Sequence, residues 1–306
     1  MGTALIQVYG AHGKMAYAIV PIAICMNIYF ALSFSHLGFQ GVCHSAMDMF
    51  EYYCGPYLGK AFKALTIVFL FLSPLCMVSG FGASLNQHYG IAPWIGAVIM
   101  AVLCLITVLM GLKRLVNIVG AVGPIIIILC LLVGGYSIIT NIDGLAAGLQ
   151  ASLEIPIVKY NDSWFISGLL EAAWAPLILG PFMIACCSTV KTEKEARTGS
   201  ILGLLGVALA TTTIITCYFC QYAEVSQNPI PTLYIVNSIS PSLASVFIII
   251  VFLGIYSSAV PSQFNFCDTF MPKSTSNASE GQKKNSAASI QDVWLMITGS
   301  CAKGTC

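Results

Sequence analysis

Apolar residues along this chain gather into seven runs, at 15–35, 62–83, 92–110, 115–139, 164–187, 200–220 and 243–261. A helix needs about 20 residues to cross a hydrocarbon core roughly 30 Å thick, and each run meets or approaches that length. None alternates with a period of two, and barrel strands would be shorter, so strands are excluded. Met15–Ser35 is too long for the core of a signal peptide, and no small-residue cleavage site follows it. The pattern predicts an all-α, polytopic membrane bundle of about seven transmembrane helices over residues 1–265. A largely disordered cytoplasmic tail over 266–306 follows, since 271–290 (MPKSTSNASEGQKKNSAASI) is too polar to pack.

Composition removes the soluble alternatives. Of the 306 residues, 58% are hydrophobic and 8% charged, against about 25% charged in an ordinary soluble domain. The lipid bilayer is therefore the first partner. A net charge of +1 indicates neither nucleic acid nor a polybasic lipid-binding face. The basic residues also orient the chain. Lys60, Lys63, Lys113, Arg114, Lys191, Lys194, Arg197, Lys273, Lys283, Lys284 and Lys303 fall on one side, Lys14 and Lys159 on the other, a division of 11 to 2. Cytoplasmic loops carry the positive excess, so the N-terminus is expected outside and the C-terminus inside.

The connections carry further signals. Residues 36–60 read as a polar cytoplasmic segment and 140–163 as an outer loop. Within 221–242, Pro229 and Pro231 introduce the apolar stretch Thr232–Ile239 and Pro241 closes it; too short to span, it should lie at the outer surface or dip inward. Most of the 13 cysteines sit in apolar runs, where a thiol acts as a small hydrophobe. His12, His36, His44 and His88 lie outside the spans or at their ends, and no HExxH, GxSxG or phosphate-binding glycine loop appears. The chain is therefore not read as an enzyme, and no catalytic residue or structural metal is assigned.

Three features inside the spans bear on function. Glu171 is the one carboxylate within a run, and a charge in lipid is costly enough that it should face a polar cavity, be protonated or snorkel to the boundary. Trp174-Ala175-Pro176, with Gly180-Pro181 behind it, interrupts the same run. Proline frees a backbone carbonyl there, as in an ordinary kink or in the discontinuous helix of a transporter. Ser257 and Ser258 place two hydroxyls late in the last run; they either bond back to their own helix or, with the Gly254 carbonyl, ligate a small cation such as sodium. Gly199-x-x-x-Gly203 with Gly206 is a close-packing surface.

The middle of the chain has a familiar order of motifs. A helix ends in Ser79-Gly-x-Gly-Ala83, the turn Gly90-Ile-x-x-Trp94 follows, the next helix ends Gly111-Leu-Lys113, and another carries Asn117 and, seven residues on, Pro124. Asn228-Pro-Ile-Pro-Thr-Leu233 and Gly254-Ile-Tyr-Ser-Ser-Ala-Val260 continue it. Over residues 5–265 the chain resembles the YkvI-like family of bacterial membrane proteins, a branch of the amino acid–polyamine–organocation superfamily with the LeuT-type inverted-repeat fold. The resemblance implies a secondary active transporter of the bacterial inner membrane, a symporter moving a small solute such as an amino acid or related organic ion with sodium or protons. It implies that the first span is the fold's second helix, that helix 1 and the last helices lie outside this chain, and that the chain alone does not transport. Residues 164–187 would be the broken sixth helix, with Glu171, Trp174, Ala175 and Pro176 bordering the solute. Gly254, Ser257 and Ser258 would form half of a cation site. Where the family commonly has a Tyr/Asn-containing stretch in that sixth helix, this chain has Glu171-Ala-Ala-Trp-Ala-Pro176. The competing classes are a seven-helix receptor-like protein and a non-transporting membrane scaffold. The last run lacks the lysine of a retinal protein, and no Asn-Pro-x-x-Tyr ends it.

The charge asymmetry makes a direct prediction. Single-cysteine labelling or reporter fusions at positions 87, 150 and 230 should read outside, and those at 50, 113 and 195 inside; the reverse pattern overturns the orientation.

Overall fold

The computed structural model describes residues 2–41, 46–155, 157–228, 230–239 and 241–270, and every regular element among them is helical. His44, Pro229 and the 271–306 tail lie outside the described residues. In chain order the α-helices are α1 (Gly2–Val8), α2 (Ala16–Gln40), α3 (Met49–Tyr89), α4 (Pro93–Leu109), α5 (Leu112–Asn141), α6 (Leu145–Glu154), α7 (Trp164–Cys187), α8 (Glu193–Cys220), α9 (Tyr222–Val225), α10 (Pro231–Ile239) and α11 (Pro241–Phe270). Stretches within Gly10–Gln40, Met49–Tyr89, Arg114–Glu154, Trp164–Cys187, Glu193–Cys220 and Phe247–Thr269 are long and apolar enough to cross a bilayer. The 17-residue α4 is apolar but shorter.

All seven apolar runs thus lie in helices, but the helices outlast the runs. Residues 36–60 and 140–163, expected as a polar segment and a loop, are largely absorbed into α2, α3, α5 and α6. The last helix passes both the expected end at 261 and the expected domain limit at 265, reaching Phe270. The physical reason is common to these cases: a helix satisfies its own backbone, so it need not stop where hydrophobicity does. The short stretch between prolines becomes α10, which starts at Pro231, where the missing N–H costs nothing.

Punctuation is local. Gly55, at φ 76°, bends the start of α3, and Pro56 resumes the helix. Gly90 closes α3 in the left-handed region at φ 68°, its N–H returning to the Asn86 carbonyl, while Asn86 Nδ2 donates to Ile91 O at 3.1 Å. That tight turn folds α4 back on α3 so closely that Gly82 meets the Pro93 carbonyl.

Contacts divide the chain into two compact units. The first comprises Met1–Leu32, Gly123–Pro176 and Arg197–Ile250. Its core gathers Ile6, Tyr9, Ile19, Tyr218, Phe219 and Tyr222, with Phe219 and Tyr222 stacked at 5.9 Å. Tyr17–Thr216 (3.0 Å) and Tyr218–Thr232 (2.6 Å) pair the hydroxyls around it. The α6 helix lies against the end of α8, where Gly144 and Gly148 meet the carbonyls of Cys220 and Phe219.

The second unit comprises Ser33–Val122, Leu177–Ala196 and the chain from Val251. Here α3 and α4 form a helical hairpin, and the aromatic pairs Phe71–Phe266 (5.5 Å) and Phe81–Phe252 (5.3 Å) join α3 to α11. Thr107 of α4 meets the Tyr256 hydroxyl of α11 at 2.6 Å. His36 Nδ1 lies 2.7 Å from a Glu193 carboxylate oxygen, tying the end of α2 to the start of α8.

A methyl group at Gly148 would collide with backbone rather than with a pliable side chain. Gly148→Ala should therefore destabilise by about 1–3 kcal/mol, the usual cost of overpacking, seen as a lowered melting temperature in detergent. The close packing expected at Gly199 and Gly203 is not found, since a Cβ at either meets open space, so the control Gly203→Ala should be neutral or better.

Candidate functional site

Glu171 lies on α7 in the first unit, facing the segment that leads into α2. After α1 the chain tightens into a 3-10 turn at Gly10–Met15, and Gly13, at φ 56° and ψ −130°, breaks its regularity. This fold-back buries Tyr9 to 4% and His12 to 9% exposure. The Tyr9 hydroxyl donates to the Glu171 carboxylate. One turn earlier on α7, His12 Nε2 lies 3.0 Å from Ser167 Oγ, and Ser167 is fully buried. Ser167 Oγ in turn donates to the Asn161 carbonyl at 3.4 Å. The chain of bonds is consistent when His12 carries its proton on Nε2. The Asn161 side chain accepts from Ser163 N at 2.9 Å and so shapes the entry to α7.

Two polar rungs therefore hold the N-terminal segment to α7, Tyr9 to Glu171 and His12 to Ser167. Burial, and then the Glu171 charge, push the Tyr9 phenol above its ordinary range, and the same two causes raise Tyr160. Tyr160 and Asn161 also line a concavity of about 620 Å³ on the 153–162 connection, together with Glu154, Lys159 and Asp162. A half-buried carboxylate with a hydroxyl donor, near an opening lined with polar groups, is suited to holding a polar or charged group. The sequence pattern missed Tyr9 and His12. The available signal was a tyrosine and a histidine three residues apart, just ahead of the first long helix.

The remaining expected solute residues follow on the same helix. Trp174 and Ala175 stand three and four positions after Glu171 and share its face, while Pro176 turns to the side. Trp174 is 46% exposed. The break expected here does not occur: α7 is helical without interruption from Trp164 to Cys187. Each of Pro176 and Pro181 removes one N–H, depriving only the Ala172 and Leu177 carbonyls of their usual donor, and the rest of the ladder keeps the turn.

Gly254, Ser257 and Ser258 lie in the second unit on one turn of α11. Both hydroxyls donate to the Gly254 carbonyl, each at 3.0 Å. That carbonyl is also the acceptor of its helix's own i→i−4 bond, so its lone pairs are fully shared while both hydroxyls point at it. The two serine oxygens keep their lone pairs. No group of three or more His, Cys, Asp or Glu placed to hold a metal occurs among the described residues. The continuation of α11 adds a carboxylate within a long apolar helix, Asp268, which the expected end at 261 had left outside the span.

No family model matches the chain. It is 24% identical over 126 residues to the uncharacterized protein YyaD of Bacillus subtilis (strain 168), a match covering 41% of this chain and 36% of that protein. The chain thus spans about a third of the length of the curated relative it matches. A solved structure of a Na+-coupled sialic acid symporter, substrate-bound and outward-open with a novel Na+ site, aligns with 98% of this chain and 73% of its own. The TM-score is 0.63 at 14% identity. The chain is accordingly an all-α, multi-pass membrane bundle with the fold of that symporter.

The His12–Ser167 rung can be tested by itself. Ser167→Ala leaves a buried ring nitrogen unpartnered and should cost about 1–3 kcal/mol. Hydrogen exchange should then quicken over residues 5–15. In the His12→Ala background the same substitution should cost measurably less, because the two side chains share one bond.

Proposed function

We propose that this protein belongs to a secondary active transporter, of the YkvI-like family, that moves a small organic solute across a bacterial inner membrane with sodium or protons. The solute is an amino acid or related organic ion, and the N-terminus faces outside. The observation that carries this reading is Glu171. A carboxylate in an apolar helix is expensive, and such groups are kept where they serve a solute or ion path. Here it is half-buried and held by a tyrosine from another segment, near a polar opening. The fold likeness to a Na+-coupled symporter supports the same reading.

In this reading Glu171 provides the charged contact and Trp174 and Ala175 the adjoining wall, with Pro176 at its margin. Sodium, where it is the coupling ion, meets the oxygens of Ser257 and Ser258, together with the Gly254 carbonyl that their hydrogens release on turning away. Protons as the coupling ion leave the serines as helix-bonded hydroxyls.

Solute binding tests this without requiring flux. Purified protein in nanodiscs, screened with amino acids and small organic ions, should melt at higher temperature with at least one class, since a ligand of the folded state stabilises it. Glu171→Ala should weaken that solute by about 10- to 150-fold, the scale of a lost charge-assisted bond. Stabilisation unchanged by the substitution, or by no solute at all, defeats the proposal. In the same assay with sodium replaced by choline, Ser257→Ala and Ser258→Ala should each raise the half-saturating sodium concentration roughly 5- to 150-fold if sodium couples. A response indifferent to sodium removes the sodium form of the reading.

A further inference from the structure

Gln263, in the second half of α11, is 1% exposed, and neither Nε2 nor Oε1 has a hydrogen-bond partner in the protein. Its neighbours on the helix solve the same problem locally: Ser262 donates to the Ser258 carbonyl at 3.1 Å and Thr269 to the Asn265 carbonyl at 2.7 Å. A primary amide carries two donors and an acceptor with two lone pairs, more than back-bonding to its own helix satisfies. Buried polar side chains left without a protein partner are rare and call for a bound group.

The packing of α11 on α3 indicates which group. Phe71 meets Phe266 and Phe81 meets Phe252, so the two helices run antiparallel there, and counting along them between these pairs sets Gln263 level with the turn holding Leu70 and Pro74. Leu70 is fully buried and Pro74 is buried on the same face. Pro74 has no N–H, so the Leu70 carbonyl lacks its i→i−4 donor. Two facing helices thus bring to one level an amide with both polar atoms unpaired and a carbonyl without its helical donor. All of these residues belong to the second unit.

We infer that ordered water is bound here, accepting from Gln263 Nε2, donating to the Leu70 carbonyl and to Gln263 Oε1, and joining α3 at Pro74 to α11. Buried water makes about three hydrogen bonds to groups of this kind, and water can insert where the i→i−4 ladder of a helix lacks a bond. The site is independent of the solute reading and stands whether or not Glu171 binds a solute.

Two substitutions and one direct measurement test it in the 306-residue protein. Gln263→Met keeps the length of the side chain and removes its polarity. With water bound it should lower the melting temperature by several degrees. In a Pro74→Ala background, where the Leu70 carbonyl regains a donor, the loss should shrink. A rise in melting temperature, or equal effects in both backgrounds, overturns the proposal. Radiolytic footprinting, in which internal water marks adjacent buried side chains, should label the fully buried Leu70 in the unsubstituted protein; absence of label there also overturns it. Stability that depends on sodium in the native chain but not in Gln263→Met would identify a cation instead, and the water assignment would fall.

Discussion

The hydrocarbon of a bilayer offers no partner to a backbone N–H or C=O, and this governs the rest of the structure. Only helices satisfy all of these groups within one segment, which is why every regular element among the described residues is helical. The same condition explains why helices run on beyond the apolar runs and why the connections are short. Gly90 turns α3 into α4 within three residues, and its own N–H returns to α3. It also explains the hydroxyls: Thr107, Thr212, Thr216 and Ser262 all donate to the carbonyl one turn back. A polar side chain in this setting first satisfies itself on its own helix, and the exceptions point to function.

Glu171 and Gln263 are exceptions of different kinds. A carboxylate has no hydrogen with which to back-bond, so Glu171 takes its partner from another segment, and Tyr9 supplies it. Gln263 has more bonding capacity than its own turn can absorb. Ser257 and Ser258 mark the other limit, because their back-bonds to one carbonyl are a complete solution that needs no ligand. For this reason the weight of the proposed function rests on the carboxylate and its tyrosine, and the serines enter only with a coupling ion.

Symporter-like architecture and the chemistry of individual residues are separate grounds here. The fold is shared with a Na+-coupled sialic acid symporter at 14% identity, a degree of likeness that carries backbone topology and not side-chain roles. What this chain binds depends on its own polar groups in apolar helices, foremost Glu171 with Tyr9.

The membrane setting, the all-α class and the seven apolar helices were determined by sequence alone, because a run of about 20 apolar residues has one low-energy solution in lipid whatever surrounds it. Glu171 was legible for the same reason, since a carboxylate within such a run is conspicuous without any knowledge of its neighbours. Helix ends were not legible, because an intact backbone ladder carried α11 past Ser262, Gln263 and Asn265 to Phe270. Nor was the continuity of α7, where two prolines remove two donors and leave the remaining turns intact. The pairing of Tyr9 with Glu171 and of His12 with Ser167 was decided only by tertiary structure. Those partners are more than 150 residues apart, and no local pattern records which polar group a fold-back will carry into contact with another.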